Sequence, residues 1–126
     1  MRTESRSITI AASPATVFRY VADPRNLPVW APAFASAVRS DGERWIVTSD
    51  AGELPILVRA SQEHGTVDLV SAADRDRGAF TRVLPNDGGA EYQFTLFFPD
   101  GTDEAAVAAQ MTTVEQELEA VRAGCE

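Results

Sequence analysis

His64 and Cys125 are the only histidine and the only cysteine in the chain, and that scarcity decides which reactions its side chains can assemble. A serine nucleophile needs an adjacent base, yet His64 precedes Gly65 in a segment whose composition asks for a turn, which places the imidazole in solvent. A metal centre needs several ligands at short spacing, and with no Cys-x-x-Cys and no paired His none can be drawn up; no cofactor is called for either. Gly42, Gly52, Gly65, Gly78, Gly88 and Gly89 all fall at turns, and none opens a phosphate-cradling loop. Asp74, Arg75, Asp76 and Arg77 form the alternating charge run of a solvated loop, with a weaker reading as a gate. Cys125 stands one residue from the end, where a frayed, exposed tail is expected. What remains is hydrogen-bonding chemistry. Ser36, Ser49, Ser71, Thr81 and Tyr92 supply hydroxyls, and Tyr92 is the one weak catalytic candidate, as an acid or hydrogen-bond donor.

These side chains must be positioned by elements that the sequence marks clearly. Ile8 and Ile10 alternate with Thr9 and Ala11, the period of a half-buried strand. Ser13 suits a helix N-cap and Pro14 the first helical position, where no N–H is needed. Val17, Phe18 and Val21 give that helix one apolar face, and Asp23-Pro24 ends it, since a residue before proline is pushed out of the α region. Leu27 to Trp30 reads as a second short helical turn.

A strand, a capped short helix, Asp23-Pro24 and then Pro28-Val29-Trp30 resembles the opening of the START-like superfamily, also called SRPBCC, which includes polyketide cyclases and dehydrases. The resemblance covers the whole chain by order of elements. It implies one domain over residues 1–126 of the α+β class: a helix-grip fold, in which a curved antiparallel sheet of about seven strands wraps around a long C-terminal helix and encloses an apolar cavity. In the cyclase branch, members that do chemistry are expected to place an Arg or a Tyr in that cavity. Tyr92 matches in type, and Arg59 and Arg82 are the next candidates.

The middle of the chain is a run of hairpins. Asp41-Gly42 as a two-residue loop sets Val38 opposite Trp45, and Ala51-Gly52 sets Val47 opposite Ile56 and Trp45 opposite Val58. His64-Gly65 sets Ala60 opposite Leu69, and the loop at Asp87-Gly88 sets Val83 opposite Tyr92 and Thr81 opposite Phe94. Together these registers predict a concave face without ionisable side chains and an opposite face carrying Arg39, Arg44, Arg59, Asp68, Arg82 and Glu91. From Thr102 to about Arg122 the chain turns helical, with Val107, Met111, Val114, Leu118 and Val121 in one stripe and Glu104, Glu115, Glu117 and Glu119 off it. Gly124 is the expected stop. Ala105, Ala106, Ala108 and Ala109 are small enough to leave a void beneath the first two turns, with Met111 as its adaptable wall.

With 44% hydrophobic and 24% charged residues the chain has the composition of a folded domain. Its net charge of −8 and scattered arginines disfavour nucleic acid and anionic membrane surfaces. No segment is apolar enough to span a bilayer, and the N-terminus has no signal-like core, so a cytoplasmic setting is expected. The leading expectation is a binding or carrier protein for a small hydrophobic molecule, held by Trp30, Phe34, Trp45, Val47, Ile56, Val58, Leu69, Thr81, Tyr92, Phe94 and Met111. A cyclase or dehydrase acting on an aromatic or poly-ketone substrate is the alternative. A third reading is an interaction domain whose convex face carries Ile46, Leu57, Val70, Phe80, Leu84 and Phe97, with a homodimer through Phe80 and Phe97.

Overall fold

Side chains alternate between part-buried and exposed all along β1 (Arg2–Ile10), so the strand marked by Ile8 and Ile10 runs back to Arg2. In the computed structural model, which describes residues 1–126, Ser13 caps α1 (Pro14–Ala22) by accepting the Thr16 N–H at 3.2 Å. Asp23 ends that helix and caps a 3-10 turn over Pro24–Asn26, its carboxylate accepting the Arg25 N–H at 3.0 Å. Then come α2 (Leu27–Trp30), β2 (Ala37–Asp41), β3 (Arg44–Ser49), β4 (Gly52–Ser61), β5 (Thr66–Ser71), β6 (Gly78–Asn86), β7 (Gly89–Phe98) and α3 (Glu104–Cys125). The strands form one sheet in the order β1-β7-β6-β5-β4-β3-β2, antiparallel throughout. This is the helix-grip arrangement, with two short helices after the first strand and a long helix last.

The distribution of cover over the sheet is uneven, and that makes the cavity. Along α3, Val107, Met111, Val114, Leu118 and Val121 are buried as the stripe requires, and the helix packs chiefly on β1, α1, α2 and β7. α1 lies over the ends of β5, β6 and β7, where Val17 and Val21 close the core above Val67, Val83 and Tyr92. The other end of the same strands, around Leu69, Ala79 and Phe94, is left without a helix plugged into it. The alanines play no part in this: Ala105, Ala106, Ala108 and Ala109 are all exposed, so the void expected beneath them does not exist.

Three hairpins differ from the predicted register by two rungs. The first loop is Gly42-Glu43, with Asp41 opposite Arg44 and Val38 opposite Val47. The second is Asp50-Ala51, which sets Trp45 opposite Ile56. The third spans Gln62 to Gly65 and sets Val58 opposite Leu69. Moving the centre of a loop by one position changes the sum of paired residue numbers by two, so every side chain keeps its face. The last hairpin pairs Val83 with Tyr92 and Thr81 with Phe94, as read from the sequence. Gly65 is needed where it stands: it has φ +70°, and a Cβ there would run into the Val83 carbonyl.

The concave face is not free of charge. Because Arg6 pairs with Phe94, Glu4 with Leu96 and Arg2 with Phe98, the outer part of β1 turns Arg2, Glu4 and Arg6 to the helix side. They bind across to α3, Arg6 to Glu115 at 3.2 Å and Arg2 to Glu104. These pairs are exposed to solvent, which screens them, so they contribute little to stability. Gly124 does not stop α3, which continues to Cys125. Its missing side chain lets the Tyr20 ring sit against the helix, where a Cβ would come within 2.5 Å of the ring. Cys125 is accordingly half-buried beside the core rather than frayed, and burial pushes its thiol pKa up, away from reactivity.

The candidate functional site

The space left between α2, α3 and the open end of β4–β7 is a cavity of about 900 Å³, within the range that takes a small organic ligand. Leu27, Trp30, Ala31 and Phe34 form one wall, and Ile56, Leu69, Ala79, Phe94, Leu96 and Phe98 the other. Ser71, Gln110 and Glu117 are its polar points, and Asp74, Asp76 and Arg77 stand at the mouth.

Of the side chains expected to hold a ligand, Trp30, Phe34, Ile56, Leu69 and Phe94 share this cavity. Trp45, Val47, Val58, Thr81, Tyr92 and Met111 do not reach it. Val47 and Met111 are buried in the packed core, and Trp45 and Val58 lie against it. Thr81 and Tyr92 sit at the end closed by α1: the Thr81 hydroxyl donates to the Val67 carbonyl at 2.5 Å, and the Tyr92 hydroxyl is fully buried without a hydrogen-bond partner. Burial holds the Tyr92 phenol far above its usual range, so it keeps its proton but has no substrate within reach. Arg59 and Arg82 are exposed on the outer face, Arg59 within 3.5 Å of Asp68. Ser61 Oγ lies 2.9 Å from His64 Nδ1 but also accepts the His64 N–H, which makes the pair a turn closure in solvent.

Glu117, expected off the helix stripe, lies in the cavity. Its residue is 8% exposed, and burial alone raises its carboxyl from the ordinary 4.5 to about 7, with no neighbouring charge or hydrogen bond to offset it. The signal was present in the spacing. Glu117 follows Val114 by three and precedes Val121 by four, so it belongs to the same face as both, and Gln110 lies two turns before it. An acid that titrates near neutrality inside an apolar cavity can donate a proton or take one up, and it can hold a cation.

The outer face is smaller than its composition suggests. Ile46 and Val70 are buried, Leu57, Phe80 and Leu84 are half-buried, and Phe97 is 43% exposed, its ring edge-on to Phe80 at 5.6 Å between centroids. No helix is long and apolar enough to cross a membrane.

Comparison with solved structures places the fold among known ones. XoxI from Bacillus cereus matches over 99% of this chain and 96% of its own, at 14% identity and a TM-score of 0.77. A START superfamily protein from Mycobacterium smegmatis matches over 98% and 96%, at 16% identity and a TM-score of 0.70. The Aha1 dimer from Colwellia psychrerythraea matches over 94% and 92%, at 14% identity and a TM-score of 0.71. At these identities the likeness speaks for the fold alone. No curated protein matches the sequence. A family model described as polyketide cyclase / dehydrase and lipid transport, however, matches residues 1–126, the motif of Asp23-Pro24 and Trp30 included, and the chain belongs to that family.

Proposed function

We propose that this protein binds and carries a small, largely apolar molecule in the cavity between the sheet and α3. The observation that carries the reading is the cavity itself, about 900 Å³ with walls of Trp30, Phe34, Ile56, Leu69 and Phe94. Ligands of aromatic or acyl type match such walls, since burying apolar surface contributes about 25 cal/mol per Å². The family's description, which names lipid transport, points the same way. The test fills the cavity from a wall residue at the margin of the packed core. Ala79 is part-buried on the wall, so Ala79→Trp is expected to abolish saturable binding of an environment-sensitive apolar dye while the protein keeps its melting transition. Dye binding that survives this substitution unchanged would place the ligand elsewhere.

One observation favours a second reading, the cyclase or dehydrase. Glu117 brings to the cavity wall the ionisable group that such chemistry requires, in place of Tyr92. In that reading the carboxylate removes a proton next to a substrate carbonyl and returns it to a departing hydroxyl. Turnover of a poly-β-ketone by the wild type that falls about a hundredfold or more in Glu117→Gln would establish it, general acid–base catalysis being worth that much. Saturable binding of the poly-ketone without product leaves the carrier reading in place.

A further inference from the structure

The buried end of the cavity carries information about the ligand's charge that its apolar walls do not. Glu117 is more than nine-tenths buried, lines the cavity and has no protein partner for its carboxyl. The titratable group that feels its charge supplies no counter-charge: Tyr92 is held in its neutral form by burial. The arginines on β1 are committed to Glu104, Glu115 and Glu4 at the outer edge. The cavity's remaining ionisable groups lie at its mouth, where Asp74 and Asp76 outnumber Arg77, and the N-terminal amine at Met1 is paired with Asp100 at 2.9 Å.

We infer that the cavity is built for an apolar molecule bearing a single basic amine, whose ammonium sits against the unpaired Glu117 carboxylate, and that it rejects apolar carboxylates. This rests on the carrier reading and deepens it. A buried carboxylate without a partner is costly unless a cation or a proton neutralises it, and a ligand ammonium does so while keeping its apolar body on the walls of Trp30, Phe34 and Phe94. A fatty or aromatic acid would bring a second negative charge into the same low-dielectric space, past two aspartates at the entrance. A neutral alcohol can bond to the carboxyl but leaves its charge in place.

The experiment uses three probes with one apolar body: 1-naphthylmethylamine, 1-naphthylmethanol and 1-naphthylacetate, titrated calorimetrically into the full chain at pH 8, where Glu117 is ionised. The amine is expected to bind about tenfold or more tighter than the alcohol, the charge-assisted bond being the difference, and the carboxylate is expected not to bind measurably. In Glu117→Gln the amine and the alcohol should bind alike, with the alcohol retained, which shows that the cavity still forms. Asp74→Asn with Asp76→Asn should change the amine's affinity only by a small, salt-sensitive amount, separating the mouth from the buried end. Equal binding of amine and alcohol by the wild type, or an amine preference that persists in Glu117→Gln, overturns the inference. Failure of all three probes to bind would instead strike the carrier reading beneath it.

Discussion

Glu117→Leu is expected to be more stable than the wild type at pH 8 by about 2–3 kcal/mol, and to lose most of that advantage by pH 4.5. The ceiling, about 3.5 kcal/mol, follows from a carboxyl raised from 4.5 to about 7, at about 1.4 kcal/mol per unit. The sign follows from where protons are bound. Between these two values the folded protein holds a proton that the unfolded chain has released, so stability falls as pH rises through the window. Below about 4.5 both states are protonated and the cost vanishes; above about 7 both are ionised and it is complete. Water in the cavity that the carboxyl lines screens part of the charge, which brings the expected difference to about 2–3 kcal/mol. Asp23, held below the usual carboxylate range by the Arg25 guanidinium, and Glu91, held down by the Thr9 hydroxyl, act in the opposite direction and at lower pH. They are present in both proteins and cancel in the difference. Urea denaturation of the two proteins from pH 4.5 to 8 measures it, and a difference that stays flat across the range would mean that Glu117 titrates as an ordinary exposed acid.

That one carboxylate also explains why the fold was far more legible than the site. Strand faces are fixed by parity, and three loops displaced by a position each still left Val47, Ile56 and Leu69 turned inward. Helix faces tolerate no such averaging. A glutamate on the border of a stripe is read by its type as solvent-facing, and only the missing cover over the open end of β4–β7 decides that it faces a cavity instead. The same uneven cover divided the expected ligand set, since α1 took Thr81 and Tyr92 into the packed end and left Trp30 and Phe34 at the open one. Nothing in the spacing of a strand says which half of it a helix will cover. The outer face went astray for a related reason. Ile46 and Val70 are buried, Val70 beside the cavity, so self-association through Phe80 and Phe97 now rests on a single exposed ring.

Trp30→Ala is expected to cost about 3–5 kcal/mol, the range for deleting a large buried aromatic side chain, and to lower the melting temperature by roughly 10–20 °C. Trp30 is 1% exposed and stands where α2 meets the core, so its removal would merge a large void with the cavity beside it and leave Leu27 and Phe94 facing a space that no ligand-sized group fills. Trp30→Phe should behave differently, and the contrast is the test. The indole N–H is buried without a hydrogen-bond partner, and an unmade donor of that kind is worth about 1–3 kcal/mol against the folded state. Phenylalanine gives up part of the ring's packing but also removes the stranded donor, so the two changes offset and the variant should lie within about 1 kcal/mol of the wild type. If Trp30→Phe costs as much as Trp30→Ala, the indole nitrogen must be paired with an ordered water. Its role would then be polar, a second fixed point in the site beside Glu117, rather than that of an apolar wall whose one polar atom the fold leaves stranded.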